Sequence, residues 1–476
     1  MTTTILWFRR DLRLADNPAL LKALQTAERV VPLFIFAPEE EAGWKPGAAS
    51  RWWLRHSLAA LDESLRQAGS RLLIRRGPSL DALRQVGLET GAGQIYWNRL
   101  YEPAAVARDQ AIKHALRADG LRVESFNSAL LREPWQVTRG KGEPYKVFTP
   151  YWNTLRRQGL SEPPLPAPAA LPPLPPALHS LSLDSLALLP TIPWDGGLRQ
   201  AWRPGESAAM ARLEAFIGEA LTGYAQDRDR PGHPGTSGLS PHLHFGEIGP
   251  RQIVQALQAR EEQAGGAECH LRQLAWREFA HHLLFHFPHT PESPLDRRFQ
   301  HFPWNEADHD TLRAWQQGRT GIPLVDAGMR ELWQTGWMHN RVRMVAASFL
   351  VKNLRVHWLE GARWFWDTLV DANLANNTLG WQWVAGCGAD AAPYFRVFNP
   401  VLQGERFDPS GDYVRRWVPE LARLPCPAIH QPWAAPAALL ESVGVRLGVD
   451  YPKPVADLKT SREQALAAYR GLPKTV

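Results

Sequence analysis

The first third of the chain alternates short apolar runs with stretches of helical periodicity. Five apolar runs are expected to form buried strands: residues 5–8, 30–36, 71–75, 94–97 and 121–126. Between them, apolar positions recur with a helical period, most clearly over 51–67 and 103–118. Strands that alternate with helices are typical of a doubly wound parallel sheet, so this region is predicted to be an α/β domain.

A proline-rich segment follows the predicted α/β domain. Residues 161–176 have the sequence SEPPLPAPAALPPLPP, with eight prolines. Proline fixes φ and lacks a backbone donor, so this segment is predicted to be an extended linker on the surface. The predicted organisation is therefore an α/β domain over 1–132, an interdomain linker over 133–203 and a second domain over 204–476.

The second domain is predicted to be all-helical. Apolar side chains recur there at helical spacing, as at Met210, Leu213, Phe216, Ile217 and Leu221. Pro323 is placed to open a helix, and further helices are predicted over 341–354 and 362–374. Because no alternating strand pattern is found in this half, the fold class is predicted to be α/β followed by all-α.

Composition narrows the class of protein without fixing a function. The 54 lysine and arginine residues exceed the 48 acidic ones, and the net charge of +6 weakly favours a polyanionic partner. Three cysteines without a CxxC pattern predict neither a disulfide framework nor a zinc site, and a cytoplasmic location is expected. No signal peptide and no apolar run of membrane-spanning length are recognised.

Standard catalytic motifs are missing from the sequence. No GxSxG, HExxH, P-loop or GxGxxG motif occurs in the context that it requires. His242 and His244 have no acidic partner at useful spacing, so they are expected in a solvated loop, and no metal site is predicted. The 21 tryptophans are expected mainly in cores, although tryptophan also stacks on bases and carries electrons.

Four dense segments contain the candidate chemistry. In GTSGLSPHLHFGEIGPRQ (235–252), hydroxyls and glycines precede a helix start, which suits a phosphate site, although helix capping is favoured for this segment alone. LRQLAWREF (271–279) sets polar residues in an apolar helical stripe. TGWMHNRVRM (335–344) is equally consistent with a solvated basic helix face. The polar and aromatic residues of 371–400 favour a buried polar ligand.

Together these segments resemble the photolyase/cryptochrome family over nearly the whole chain. The resemblance rests on WFRRDLRLADNPAL (7–20), TSGLSP, WREF, GWMHNRVRM and ANNTLGWQW (375–383), in the family's order and spacing. Asn340 with Arg341, and the Trp-Gln-Trp segment, resemble the branch that repairs cyclobutane pyrimidine dimers. Residues 38–61 are similar to plant cryptochromes and to the bacterial photolyases nearest to them.

The resemblance implies an FAD buried in the helical domain. Hydroxyls near residues 224 and 236–240 would hold its phosphates and ribityl chain. Arg343 and Asp371 would form a charged pair over the isoalloxazine, and Asn377 would face the flavin N5. The implied cofactor-binding residues are Tyr224, Thr236, Ser237, Gly238, Leu239, Ser240, Arg277, Asn340, Arg343, Asp371, Asn373 and Asn377.

The reaction that the resemblance implies is light-driven repair of ultraviolet-damaged DNA. One electron passes from excited, reduced FAD to a dimer that has left the duplex, the cyclobutane ring splits, and the electron returns. The implied substrate- and DNA-binding residues are Arg228, Gln273, Trp276, Asn340, Arg341, Met344 and Trp383. Trp304, Trp358 and Trp381 match the family's chain for electron hopping between surface and flavin.

Two positions depart from the family's pattern. Gln273 stands where dimer-repairing members usually carry glutamate, so slower repair or a changed lesion preference is expected. Asn373 replaces a usual aspartate and keeps a flavin contact without its charge. Members that act on (6-4) photoproducts often have the glutamine, but they need a histidine where this chain has Asn340.

Two other functions stay open as alternatives. A cryptochrome-type blue-light sensor would share the fold, the FAD and the tryptophans, although plant sensors carry aspartate where this chain has Asn377. A DNA-binding module without catalysis would explain the charge but not the polar pocket. A monomer without membrane or metal partners is expected.

An antenna chromophore is a further implication of the resemblance. Ala104 and Ala105 stand where some bacterial members bind methenyltetrahydrofolate with an Asn-Glu pair, so folate in that surface groove is not expected. A chromophore inside the α/β domain, near Phe36, Arg51 and Glu102, is the alternative. Methenyltetrahydrofolate, a deazaflavin or no antenna are the options.

Overall fold

The chain begins with a parallel sheet. The computed structural model describes residues 2–160, 162–260, 263–306, 308–391 and 395–473. Within them the strands of this sheet are β1 (Thr3–Phe8), β2 (Arg29–Phe36), β3 (Leu73–Arg76), β4 (Gln94–Asn98) and β5 (Arg122–Phe126). Their order is β3-β2-β1-β4-β5 and every pair is parallel. The predicted α/β domain is therefore confirmed.

Helices cover both faces of this sheet. They are α1 (Pro18–Thr26), α2 (Ala48–Gln67), α3 (Ser79–Thr90) and α4 (Pro103–Ala118). Successive residues of a strand point to opposite faces, so Leu6 and Phe8 join the core formed with α1 and α2, whereas Ile5 and Trp7 join the core on the side of α3 and α4. Burial on both faces explains why Ile5–Phe8 of β1 form a continuous apolar run rather than an alternating one.

The proline-rich segment lies against the α/β domain. Residues 162–175 form neither helix nor strand. The Leu171 N–H donates to the Ala68 carbonyl (2.7 Å), and the Leu171 side chain is buried in the sheet's core. Inside the predicted linker, helix α5 (Phe148–Arg157) packs in the core of the helical region. The boundaries at residues 132 and 204 remain predictions.

The rest of the described chain is helical, as predicted. Its helices are α6 (Gly196–Ala201), α7 (Glu206–Ala215), α8 (Tyr224–Asp227), α9 (Ser240–His244), α10 (Pro250–Gln258), α11 (Ala264–His286), α12 (His309–Gln316), α13 (Pro323–Thr335), α14 (Asn340–Ser348), α15 (Trp358–Thr368), α16 (Leu374–Ala385), α17 (Pro400–Phe407), α18 (Asp412–Trp417), α19 (Ala437–Val443) and α20 (Leu458–Arg470). Phe349–Asn353 is a π-helical turn that follows α14. None of the helices in the described residues has the length and apolar character needed to span a membrane.

The helix predicted over 362–374 is wrong at its end. Helix α15 stops at Thr368, and residues 369–373 form a turn before α16. Asn373 caps α16, because its side-chain oxygen accepts from the Asn376 N–H (3.1 Å). An asparagine that satisfies a free N–H at a helix start outweighs continuous apolar periodicity.

The two halves meet through buried polar groups. The Glu206 carboxylate accepts from the N–H groups of Leu14 and Ala15 at 2.8 and 2.9 Å. The predicted solvated loop at His242 and His244 is wrong, because both side chains are buried. His242 hydrogen-bonds Glu247, which also accepts from the Trp53 indole N–H (3.0 Å).

The acidic partner of His242 lies five residues further along the chain, beyond a sharp turn. That turn is made at Gly246, whose φ is +66°, so the backbone there favours glycine. A Cβ at Gly246 would also overlap the backbone of Arg10, so glycine lets the two halves of the chain approach closely.

Candidate functional site

Arg343 and Asp371 form an ion pair between α14 and the 369–373 turn. Arg343 Nη2 lies 2.9 Å from Asp371 Oδ2, and Ser240 Oγ donates to the same oxygen at 2.6 Å. The indole N–H of Trp337 donates in turn to Ser240 Oγ (3.3 Å). Asp371 is 7% exposed, yet its Oδ1 has no partner among the described residues. Buried acceptors are rarely left unfilled, so this oxygen indicates a ligand that donates hydrogen bonds.

A second hydrogen bond and a helix cap fix Arg343 and the start of α14. Its Nε donates to the Met338 carbonyl at 2.7 Å, just before α14 begins. His339 caps this helix, since its Nδ1 accepts from the Arg341 N–H (3.2 Å). The predicted pair of Arg343 with Asp371 is thus formed, and Trp337, which sequence reasoning missed, belongs to the same network.

A second cluster joins Tyr224 to the predicted phosphate-binding segment. The Tyr224 and His270 rings lie 5.2 Å apart between centroids, and His270 Nε2 lies 3.2 Å from Ser237 Oγ. Burial lowers the pKa of His270 to about 4, so the ring is neutral, and its Nδ1 has no partner among the described residues. Gly238, at φ +61°, turns the chain towards α9. Leu239 is buried in the core of the helical region, and its N–H donates to Ser237 Oγ (3.4 Å), whereas Thr236 is half-buried.

His270 was not predicted from the sequence, although a signal was available. His270, Gln273 and Arg277 occupy positions i, i+3 and i+7 of helix α11, which share one helix face. Two of these three were candidates. Because all three share one helix face, His270 could have been predicted as a further site residue.

A third cluster lies where α11 faces the start of α16. The Asn373 side-chain nitrogen lies 3.4 Å from His281 Nε2, and His281 Nδ1 donates to the Arg277 carbonyl (2.8 Å). Burial, together with the charge of Arg277, lowers the pKa of His281 to about 3, so the ring is neutral. Asn373 therefore meets a neutral partner, which suits an amide better than the charge of an aspartate.

Arg277 contacts the first half of the chain in this structure. Its Nη1 donates to the Ala129 carbonyl (2.7 Å) and lies 3.4 Å from Glu278 Oε1. Burial raises the pKa of Glu278 to about 7, and its other oxygen accepts from the Leu131 N–H (2.8 Å). Arg277 thus connects the predicted cofactor site to the segment that follows the sheet.

Asn377 is held by the neighbouring helix α15. Its Nδ2 donates to the Ala362 carbonyl (3.0 Å), while its Oδ1 accepts from none of the described residues. The amide is therefore fixed in orientation, and its oxygen stays available for a donor.

The predicted DNA-binding residues form a polar chain along α8, α11 and α14. Arg228 Nη2 donates to Gln273 Oε1 at 3.0 Å. The next residue, Asp229, pairs with Arg341 at 2.9 Å. Asn340, exposed at the start of α14, donates weakly to the Met344 sulfur (3.8 Å). Because Gln273 is neutral, the ion pair of Arg228 within the described residues is the long one with Asp229, whose Oδ1 lies 3.9 Å from Arg228 Nε.

The two tryptophans predicted to contact DNA, Trp276 and Trp383, are half-buried. Trp276 stacks on Phe148 with a centroid distance of 3.8 Å and an interplanar angle of 7°. Trp383 lies near Phe398 (6.5 Å) and below the guanidinium of Arg396 (5.7 Å). Phe148 comes from α5 and covers one face of Trp276, so it supports that ring from behind. Residues 392–394, inside the predicted ligand segment 371–400, lie outside the described residues.

The three tryptophans predicted to carry electrons differ in burial. Trp381 and Trp358 are 2% and 1% exposed, whereas Trp304 is half-buried. Helix α15 packs closely on Trp381, since a Cβ at Gly361 would overlap the indole ring. This glycine is a requirement that sequence reasoning missed.

A separate pocket lies at the carboxyl ends of β1 and β2, where doubly wound sheets bind ligands. Phe36 lines it, and Glu102 reaches it through Arg10, which lines the pocket and pairs with Glu102 at 2.7 Å. Arg51 is exposed and its neighbour Ser50 lines the pocket instead. Other lining residues are Trp7, Glu41, Trp44, Arg108 and His244.

Comparisons with known proteins show to which family this chain is similar. Residues 4–170 match the model of the DNA photolyase family, and residues 270–471 match the model of the FAD binding domain of DNA photolyase. The chain is 48% identical to the deoxyribodipyrimidine photo-lyase of Agrobacterium fabrum, covering 99% of this chain and 98% of that protein. It is 44% identical to cryptochrome-2 of Arabidopsis thaliana, covering 97% of this chain and 77% of that protein.

A solved structure shows the same fold along the whole chain. It is a bacterial class III photolyase from Agrobacterium tumefaciens, with a TM-score of 0.96 and 46% identity. The match covers 100% of this chain and 98% of that one.

Proposed function

Because the chain belongs to the photolyase/cryptochrome family, we propose that it repairs cyclobutane pyrimidine dimers in ultraviolet-damaged DNA with light and reduced FAD. The observation that carries this proposal is the arrangement on α14. Arg341 pairs with Asp229 in the predicted DNA-binding chain, and Arg343, two residues later, pairs with Asp371 in the predicted cofactor site. Two residues of one helix thus connect the proposed lesion site to the proposed cofactor site.

The residues present fit FAD. Two buried polar atoms without a partner among the described residues, Asp371 Oδ1 and His270 Nδ1, lie in the two clusters assigned to the cofactor. Tyr224, Ser237 and the turn at Gly238 would hold the phosphates, with His270 fixing Ser237. When bound, FAD supplies the absorption of light and the transferable electron.

The protein's own groups set the charge around the cofactor. The Arg343 cation, held by Asp371, would offset the negative charge of a reduced flavin ring. Asn377 would offer its free oxygen to a donor without adding charge. His270 and His281 are neutral because burial lowers the pKa of both, so they add no further charge.

Recognition of the dimer would depend on aromatic faces and one phosphate contact. A dimer stacks and pairs poorly, so extruding it from the duplex costs less than extruding a normal pair. Trp276, supported by Phe148, would stack on one base, and Trp383 would flank the other side. Arg228 would contact phosphate, which positions the protein but carries no sequence information.

Trp381, Trp358 and Trp304 would pass electrons between the cofactor and the surface. The two inner rings are buried and the outer one is half-buried, as a chain leading to solvent requires. An external thiol would return the electron to Trp304.

A blue-light sensor is the second candidate, because the chain is also 44% identical to a plant cryptochrome. A repair assay separates the two. The purified protein is photoreduced, mixed with an oligonucleotide that carries one thymine dimer, and illuminated with blue light beside a dark sample. Light-dependent recovery of intact thymines supports repair. A photoreducible protein that restores no thymine would contradict repair and favour the sensor instead.

For the pocket in the α/β domain, we propose an antenna chromophore, a reduced folate first and a deazaflavin second. Trp7 Nε1, Trp44 Nε1 and His244 Nδ1 line this pocket, and all three are buried without a partner among the described residues. Both chromophores are heterocycles that have carbonyl oxygens to accept from the indole N–H groups and a ring N–H to donate to the histidine.

The antenna can be identified directly. The protein is denatured and the released small molecules are identified by mass spectrometry, and each chromophore is then added back to stripped protein. The assignment is supported if one chromophore binds, its binding is lost in Trp44→Phe, and its binding is kept in Trp135→Phe, a control at an exposed tryptophan. Failure of both to bind would contradict it.

A further inference from the structure

His357 lies between the two outer tryptophans of the proposed electron chain. Its ring centroid is 5.2 Å from that of Trp304 and 5.7 Å from that of Trp358. The first contact is edge-to-face at 69°, and the second is close to parallel at 29°. His357 therefore contacts both rings between which an electron would have to pass.

The backbone fixes this arrangement. The Asn305 N–H donates to the Arg355 carbonyl (2.8 Å), and Asn305 Nδ2 donates to the Leu354 carbonyl (2.9 Å). The segment that carries Trp304 is thereby tied to the segment that leads into α15. His357 caps α15, with Nδ1 accepting from the Leu359 N–H (3.2 Å). These backbone hydrogen bonds and the helix cap therefore hold the rings of Trp304 and His357 in a fixed arrangement.

The same hydrogen bond fixes the tautomer and the charge of the ring. Because Nδ1 accepts an N–H, the neutral ring carries its proton on Nε2. Burial lowers the pKa of His357, with Glu360 opposing and Arg363 adding to the effect. Both charged groups belong to its own helix, and Trp304, from the neighbouring segment, brings no charge. A neutral ring does not oppose the positive charge that an oxidised tryptophan carries.

We propose that His357 is a positioning residue of the electron chain, which couples Trp304 to Trp358 through its ring and stays neutral so that both can be oxidised. This inference rests on the proposed function. In the step concerned, one electron leaves Trp304 for the oxidised Trp358, which returns to the neutral indole. Trp304 is then reduced from solvent by an external thiol. An imidazolium at this place would disfavour both oxidised indoles.

The test compares variants of the full-length, FAD-loaded protein by transient absorption of the tryptophan radical and by the rate of photoreduction. His357→Asn keeps a helix-capping oxygen but removes the ring, and we expect a several-fold slower photoreduction and a lower yield of the Trp304 radical. His357→Phe keeps a ring that cannot be protonated. It should photoreduce as the unaltered protein does near neutral pH, and should lack the decline that protonation of His357 causes in acid. His309→Asn, on the surface, is the control and should change nothing.

Dimer repair by chemically reduced enzyme separates this inference from the proposed function. Repair should be unchanged in His357→Asn, because chemical reduction bypasses the tryptophans. Unaltered photoreduction in His357→Asn would overturn the inference, as would unaltered photoreduction in Trp304→Phe, since the route would then avoid Trp304. Loss of repair in every sample, with these effects on photoreduction intact, would overturn the proposed function alone.

Discussion

Arg343 Nη2 lies 2.9 Å from Asp371 Oδ2, and this ion pair joins the start of α14 to the turn between α15 and α16. The carboxylate is buried and accepts from Ser240 as well, while the guanidinium is about a quarter exposed on the side of the predicted cofactor. Neither side chain would be stable at this depth alone, so each explains the presence of the other.

Replacing Asp371 should therefore weaken FAD binding. In Asp371→Asn the Arg343 cation loses its counter-charge, and since Arg343 is partly solvated we expect a cost of about 1–3 kcal/mol, which is roughly 5- to 150-fold in FAD affinity. Retained FAD after gel filtration and the dissociation constant from flavin fluorescence measure this. Asp310→Asn, on the exposed start of α12, should bind FAD normally. Equal affinity in the two variants would contradict the assignment of Asp371 to the cofactor.

Removing Arg228 should weaken DNA binding in a salt-dependent way. Its guanidinium donates to the neutral Gln273 and lies 3.9 Å from Asp229, a distance too long for a hydrogen bond, so it can still pair with a phosphate. In Arg228→Ala, the slope of log K against log salt should fall by about one, with a similar loss for damaged and undamaged DNA. Fluorescence anisotropy over a salt series measures it. Arg363→Ala, exposed on α15, serves as the control, and an unchanged slope in Arg228→Ala would exclude a phosphate contact.

Trp276 should select the dimer rather than DNA in general. Its ring is held by Phe148 at 3.8 Å, and loss of one base–aromatic stack costs about 1–3 kcal/mol. Trp276→Ala should therefore weaken binding of dimer-containing DNA roughly 5- to 150-fold while changing the affinity for undamaged DNA little. Competition binding compares the two ligands. Trp333→Ala, 61% exposed on α13, should leave both affinities unchanged. Equal losses on both DNAs would rule out a stacking role for Trp276.

The sequence alone predicts those features of the fold and the site that depend on residues close together along the chain. The strands were predictable because burial on both faces makes a segment such as Ile5–Phe8 of β1 a continuous apolar run. The start of α16 was missed because a single capping residue, Asn373, outweighs the apolar period around it.

Neutral histidines of the site were missed for another reason. His270 meets Ser237 and His281 meets Asn373, 33 and 92 residues away along the chain. No local pattern records such contacts. Spacing on one helix face could have indicated His270, whereas the partner of His281 becomes apparent only once α11 and α16 pack together.

Glu331 should contribute a fall in stability as the pH rises from about 5 to 8, against the rise up to about pH 6.5 that buried, neutral histidines such as His270 and His281 contribute. Burial raises the pKa of this carboxyl to about 7, above its ordinary value of 4.5, although it accepts from the Tyr413 hydroxyl (2.6 Å) and the His339 N–H (3.2 Å). A carboxyl whose pKa is raised by folding stabilises the fold fully below pH 4.5, and this contribution is lost as the pH passes 7.

Glu331→Gln keeps an acceptor oxygen and stays uncharged, so at pH 8 it should be more stable than the unaltered chain by about 1–3 kcal/mol. Thermal unfolding followed by circular dichroism from pH 5 to 8 measures the difference, with the exposed Glu463→Gln as control. Glu278, whose pKa burial also raises to about 7, and the buried histidines are the same in both chains, so the difference between the two pH profiles isolates Glu331. An unaltered pH dependence in Glu331→Gln would show that Glu331 stays ionised in the fold.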